Sequence, residues 1–506
     1  MRTPTDIRAP ATARFSVISA GLLVLGGCHG GDSTAYEIAV TVVGLRPGST
    51  LLLQDSAAAE LEVDSNGRFT FASPVASGRE YAVTIASQPA GQSCLVRNGS
   101  GTVGDAPPEV AVDCPHFVYV ANGLSNSVAA FGIDLATGAL SPIAGSPYPI
   151  GAPGPNALSF TPDGRFAYEA NALGNSISAF AIDGVTGALT AVPGSPFAAC
   201  GGPFAVTIAP TGAFLYAVNM TFSGTICAFG IDPTSGGLSP VGGSPFATGA
   251  YPSPVAIDPA GRGAYATSNG GCNCVSAFRL DASTGALSPA GTTDIGAGTV
   301  AVTIDPTGKL AFVVDYANGR LLAFAIDPLT GALAPAPGSP FVTGAASGSV
   351  VVGPTGRYVY VANADGTVSG FAIDAATGRL DTLAGSPFGA GASPAAIAMD
   401  PTGRWVFVPD VLGATAVYEV DAPSGRLSPA SGSPLSISCR PSFDPTGRFV
   451  YLAQPASQMI DPHTGLPTNP PGAIFGYSLE DTAGALELVP GSPFAVDTGS
   501  LFMSIL

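Results

Sequence analysis

The chain has 506 residues, of which 46% are hydrophobic and only 10% charged, and its formal net charge is −17. That balance excludes the usual nucleic-acid binder, which needs clustered Lys and Arg to neutralise phosphates. The length exceeds one ordinary domain. The 67 Gly and 47 Pro residues recur at fixed offsets, so they read as turn residues and not as a disordered composition.

Residues 1–27 have the layout of a secretion signal. Arg2, Arg8 and Arg14 precede the apolar run Phe15–Leu25, which is too short to span a bilayer. The run ends in Leu25-Gly26-Gly27-Cys28, which resembles the bacterial lipobox. The resemblance implies lipidation of Cys28, a lipidated tether over residues 28–35, and an extracytoplasmic lipoprotein. Its only membrane contact would then be the lipid, on the periplasmic or surface side of the outer membrane. Residues 36–114 carry about seven short alternating runs separated by turn signals, among them Asn66-Gly67, which suits a hairpin. This pattern predicts a small immunoglobulin-like β-sandwich acting as a spacer, with Cys94 and Cys114 joined in a disulfide.

From residue 115 to 506 one unit repeats. Copies begin at Phe117, Phe166, Phe214, Gly263, Leu310, Tyr358, Trp405 and Phe449, at spacings of 44–49 residues. Each holds four apolar runs, exemplified by YVYVAN, TVSGFAID, RLDTLAG and PAAIAMD from Tyr358 onward. Four short strands per copy with tight turns describe a propeller blade. The expected fold is all-β, an eight-bladed β-propeller with seven blades as the alternative. In it the final run Ser500–Leu506 supplies the innermost strand of the blade that Phe117 begins. Along the innermost strands small residues (Ser159, Thr207, Ser442, Ser504) alternate with large ones, a pattern suited to packing blade against blade. The YVYVAN, AF-x-ID, TGAL and DPTGR segments resemble the YVTN and lactonase-like β-propellers. That resemblance implies the fold strongly and sugar-lactone hydrolysis only as one option.

Candidate functional residues are those that break the repeat. Glu169 replaces a residue patterned for burial, which predicts a raised pKa or a partner. Arg440 stands where other copies have Ala, and Arg279 where they have a small residue. Asp315 and Asp410 belong to a set of polar residues closing the second strand of every copy, from Asn122 onward. They are candidates for a polar ligand at the channel mouth, or simply loop caps. The Asp of the I-D-x-x-T-G turn, such as Asp134, reads as a turn former. Cys200 and Cys227 are expected to bridge; Cys272-Asn273-Cys274 suits a local disulfide or a soft metal, and Cys439 has no evident partner. No catalytic motif, metal set or cofactor motif is present. The reading is a monomeric, non-catalytic binding or scaffold module for a protein, polysaccharide or small polar ligand, with lactone hydrolysis as the alternative.

Overall fold

A computed structural model describes residues 34–296, 298–455, 459–460, 467–468, 472–479, 486–496 and 501–506. Cys28 and the rest of the targeting segment lie outside the described residues, as does His463. Every regular element among the described residues is a strand.

The region before Phe117 forms ten short strands rather than about seven. Two four-stranded sheets enclose a core of Ile38, Val40, Val42, Leu51, Leu53 and Val112. The strands Ala39–Val43 and Glu109–Asp113 run parallel, while Leu95–Arg97 pairs antiparallel with Glu109–Asp113. Cys94 and Cys114 sit at the ends of that second pair and are bonded. This module meets the repeats at His116, whose ring is fully buried. Its Nε2 lies 2.8 Å from the Gly44 carbonyl oxygen, and Gln92 donates to the same oxygen at 2.6 Å. The other ring nitrogen faces Asp444 in the last repeat, 3.7 Å away.

From Phe117 onward the described residues form eight antiparallel sheets of four or five strands in succession, called here sheet one to sheet eight, with a two-stranded ribbon of Met459–Ile460 and Pro467–Thr468 inside the last repeat. In most of them the strands run outward in the order inner, second, third and fourth, and the GSPF segment adds a fifth, as Phe197–Ala198 does against the third strand of sheet two. Strand runs such as FVYVAN are buried on both faces, because each sheet is packed between two others. The apolar clusters accordingly lie between sheets. One joins sheets one and two through Phe117, Tyr119, Ala167 and Phe180, and another joins sheets one and eight through Val118, Val120, Phe449 and Ile474.

Three kinds of contact set the spacing. At the outer turns the second-strand Tyr donates its hydroxyl to a glycine carbonyl of the next sheet: Tyr119 to Gly187 (2.8 Å), Tyr168 to Gly236 (2.8 Å), Tyr216 to Gly285 (2.9 Å), Tyr360 to Gly425 (2.6 Å) and Tyr451 to Gly138 (2.7 Å). The same glycine rests on the first side chain of that strand; a Cβ on Gly187 would come within 2.4 Å of the Phe117 ring, and Gly187 has a φ of +72°. Only glycine satisfies both demands. On the inner strands the small residues do more than pack. Ser442 donates to Met503 O, Ser504 to Leu158 O, Ser159 to Val206 O and Thr207 to Val255 O, at 2.8–3.1 Å, stitching sheets eight, one, two, three and four in order. The I-D-x-x-T-G aspartates cap their turns: Asp134 Oδ1 accepts from the amides of Ala136 and Thr137 at 3.0 and 2.9 Å.

The last strand, Leu501–Ile505, pairs antiparallel with Phe117–Asn122, with Val118 opposite Ile505 and Asn122 opposite Leu501. The two chain ends thus share sheet one. Deleting residues 501–506 removes this partner and leaves a buried strand edge unpaired, which invites association. The truncated protein is expected to melt well below the full chain and to form aggregates, as read by differential scanning calorimetry and size-exclusion chromatography.

Candidate functional site at the channel mouth

The second strands begin at the outer turns, and their far ends lie on the opposite face, where the inner strands start. The polar residues that close them turn out to be scaffold. Asn171 donates to Ser176 and Ser178 Oγ at 3.2 and 2.8 Å, and Asn363 donates to Thr367 and Ser369 Oγ at 3.0 Å each. These amides tie the second strand to the third. The two aspartates act as loop caps. Asp315, fully buried, accepts from the Asn318 backbone amide at 3.1 Å and from Arg320 at 2.6 and 3.1 Å. Asp410 accepts from the Leu412 and Ala414 amides at 2.9 Å each. Both oxygens of Asp315 are engaged within the fold, whereas Asp410 caps its loop through Oδ1 alone.

Arg440 is different. It directly precedes the inner strand Pro441–Phe443 of sheet eight and is exposed. Among the described residues its guanidinium has neither a hydrogen bond nor an ion pair. It lines a cavity of about 340 Å³ with Ala157, Ser438, Ser442, Met503 and Ser504. The walls are therefore inner strands of sheets eight, one and two, drawn from both ends of the chain. Cys439, the free cysteine among the described residues, lies in the same wall, and burial pushes its thiol up to about 11, which keeps it protonated near neutral pH.

Glu169 lies behind that wall. It sits in the second strand of sheet two opposite Leu158, next to an irregularity in register between Pro155 and Ala157. Its side chain is fully buried, and neither carboxylate oxygen makes a well-formed hydrogen bond. Burial pushes its pKa up to about 8; the nearby amides of Asn156 and Ala157 pull it back only in part. Glu169 and Arg440 form no ion pair. They share only the Ala157–Leu158 strand, one residue behind it and the other in front.

Around this mouth the loops after the second strands expose Leu124, Leu173, Phe222, Val411 and Leu412, at 65–81% relative accessibility. The sequence reading did not single them out. Their signal is an apolar residue inside a polar turn, repeated from copy to copy.

Two further disulfides brace this face. Cys200 joins Cys227, tying the crossover from sheet two to the third strand of sheet three, and Cys272 joins Cys274 within one loop. That bond uses both thiols that a soft metal would need. No cluster of metal-ligating side chains occurs among the described residues.

Comparison with known proteins places this geometry in context. The profile described as "Lactonase, 7-bladed beta-propeller" matches residues 146–249, 242–337 and 332–438, more than half of the chain. The comparison with curated proteins returned no match. Among solved structures, a 6-phosphogluconolactonase candidate from Bacteroides uniformis superposes with a TM-score of 0.50 at 20% identity, over 64% of this chain and 97% of that one. The periplasmic gluconolactonase PpgL of Pseudomonas aeruginosa gives 0.47 at 19% identity, over 64% and 97%. Dihydro-heme d1 dehydrogenase NirN gives 0.50 at 16% identity, over 76% and 74%. At these identities the likeness is one of fold.

The buried Glu169 has a measurable consequence. An unfolded Glu ionises near pH ~4.3, whereas the folded one keeps its proton up to about 8. Between those values the folded state binds more protons than the unfolded, so its stability falls as pH rises. Glu169→Gln stays neutral throughout. Its melting temperature relative to the wild type is expected to rise by a few degrees between about pH 5 and pH 8; parallel pH profiles for the two proteins would refute this ionisation.

Proposed function

Because the chain belongs to the Lactonase family of β-propellers, we propose its role from the charged opening at its channel mouth: it is a non-catalytic binding module that takes an anionic group of a larger partner at Arg440. The observation that carries this reading is the unpaired guanidinium of Arg440 in a cavity walled by three inner strands. A guanidinium held in this way offers planar donors suited to a carboxylate or phosphate. The exposed leucine and phenylalanine side chains on the surrounding loops would meet an apolar surface of the same partner, a protein or a polysaccharide.

Lactone hydrolysis is the second reading, favoured by family membership and by the raised pKa of Glu169. A general base must reach the water it activates, directly or through one more water. Glu169 is fully buried behind Ala157–Leu158, so it does not meet a substrate at Arg440. This argues for binding over turnover.

The wider architecture follows the same reading. The propeller is a ring of eight blades, one more than the family's usual form. Eight successive sheets, the pairing of the terminal strand with sheet one, and the Tyr451 bond from sheet eight to sheet one support that count. Residues 36–114 form an immunoglobulin-like spacer between residues 115–506 and a membrane anchor at Cys28. The three disulfides support an oxidising, extracytoplasmic compartment.

Two experiments test this. Cys28→Ser is expected to move the protein from the membrane fraction to the soluble fraction; continued partitioning into detergent would contradict lipidation. With aldonate and aldonolactone probes, Arg440→Ala is expected to weaken aldonate binding by about tenfold or more, a loss of ~1.4 kcal/mol, in isothermal titration calorimetry. Lactone hydrolysis should stay at the spontaneous rate. Turnover above that rate that falls in Arg440→Ala or Glu169→Gln would make the protein a hydrolase.

A further inference from the structure

The large side chain that opens the second strand and supports the next glycine turn is missing at one place. Between sheets four and five the second strand opens on Gly263, where the other copies carry Phe, Leu, Tyr or Trp. Three consequences follow from that one missing side chain.

First, the space beneath the Gly331 turn is not filled, and a cavity of about 410 Å³ lies there, within the ~300–1,000 Å³ range of small-molecule sites. It opens at the outer turns, on the face opposite Arg440. Second, Tyr265 leans into the vacated position: a Cβ on Gly263 would lie 2.5 Å from its hydroxyl. The Tyr265 hydroxyl therefore does not reach the Gly331 carbonyl, which by analogy with Tyr216 and Gly285 it should meet. It is buried with no hydrogen-bond partner and lines the cavity. Burial, and after it the charge of Asp258, hold this phenol far above its usual range, so it stays protonated and can donate. Third, Arg262 has lost its platform. In four other sheets the Arg before the second strand stacks on the ring that follows it, as Arg165 does on Phe166 at 5.2 Å and Arg404 on Trp405 at 4.9 Å. Arg165 also donates to the Pro233 carbonyl of the next sheet at 2.9 Å. Arg262 has no ring to stack on, and its guanidinium makes only a 3.8 Å ion contact with Asp258.

The second departure from the repeat faces the first. Arg279 is paired directly across from Gly263 in the sheet, where other copies have residues such as Gly132, Ala181 or Ala325. Its side chain is exposed, lines the same cavity, and has no partner among the described residues. One pocket thus gathers two guanidinium groups and a buried hydroxyl, all with donors to spare. Leu280, Ile326 and Leu329 give it an apolar side.

We propose that this pocket is a second ligand site, which binds a small monocarboxylate with an apolar body, the carboxylate held by Arg279, Arg262 and the Tyr265 hydroxyl. The wall also contains Asp258, Asp281 and Asp327. Their oxygens accept backbone amides of their own turns, Asp258 from Ala260 and Arg262, Asp281 from Ser283 and Thr284, and Asp327 from Leu329 and Thr330, at 2.8–3.1 Å. The three carboxylates outnumber the two guanidinium groups, which disfavours a dianion such as a phosphate monoester; a monocarboxylate is held by directed hydrogen bonds from Arg279, Arg262 and Tyr265 and not by an excess of positive charge. The site is separate from the channel mouth and does not depend on how that mouth functions.

The test is calorimetric titration of the full-length protein with benzoate, cyclohexanecarboxylate and hexanoate, against benzamide and phenyl phosphate. At least one carboxylate should bind, with benzamide and phenyl phosphate at least about tenfold weaker, since charge-assisted hydrogen bonds are the ones in play. Arg279→Ala, which restores a residue found in other copies, should weaken the carboxylate by about tenfold or more. Tyr265→Phe should weaken it too. Gly263→Phe, which restores the plug, should abolish binding, and Arg440→Ala should leave it unchanged. The proposal is overturned if none of the three carboxylates binds, if benzamide binds as well as benzoate, if Arg279→Ala retains full affinity, or if Arg440→Ala removes the binding.

Discussion

A tyrosine hydroxyl reaching the carbonyl of a turn glycine in the next sheet is the contact on which the rest of this structure depends. It recurs from Tyr119 to Tyr451, and each instance needs three things at once: a buried Tyr in the second strand, a large residue two positions before it, and a glycine turn that can lie flat on both. No sheet has a core of its own. Its apolar side chains are buried only by its neighbours, so sheet-to-sheet contacts decide stability, as in other repeat architectures. From sheet eight round to sheet four, the outer Tyr–Gly contact and the inner Ser or Thr bond hold each junction at both ends; Phe312 and Phe407, which stand in the Tyr position further on, carry no hydroxyl. The terminal strand then makes sheet one a junction like the rest, because Phe117 and Leu506 exchange backbone hydrogen bonds at 3.0 and 2.9 Å.

A scaffold this regular has little chemistry built into it. Its aspartates cap turns, its asparagines clasp strands, and its serines stitch the inner strands. Function is therefore to be sought where the pattern is broken. Arg440 breaks it at the channel mouth and leaves a guanidinium without a partner. Gly263 and Arg279 break it together at the outer turns, and there the loss of one plug frees Tyr265 and Arg262, whose counterparts are engaged at other junctions, beside the added Arg279. Glu169 also breaks it but is sealed in, and its unusual ionisation is a cost to stability with no visible access to a ligand.

The sequence made much of this legible. The fixed spacing, the two-residue alternation and the D-P-T-G-R turns were enough to expect the sheets, their strand order and the pairing of the C-terminal strand with Phe117–Asn122. Glu169 was legible as a misplaced carboxylate because its strand mates are Val and Ala. The inner Ser and Thr looked like packing residues, since a serine that donates to a neighbouring strand and one that merely fits are the same letter. The outer pocket was the least legible. Arg279 stood out alone, but the meaning of Gly263 depends on what its counterparts touch in the next sheet, and a side chain that is missing leaves no mark in a strand pattern. The channel cavity likewise joins Ala157 to Ser442 and Met503, which lie far apart along the chain.

The central claim is that the chain closes on itself, with the last strand as firmly built in as any other. Residue-by-residue hydrogen exchange on the native protein tests it directly. Closure predicts that the amides of Tyr119 and Ala121, and those of Phe502, Ser504 and Leu506 paired with this strand, exchange as slowly as those of Tyr360 and Ala362 in sheet six, and in the same cooperative unit. Exchange of the 502–506 amides at rates of an unstructured terminus, with the Phe117–Asn122 edge exposed beside them, would contradict it.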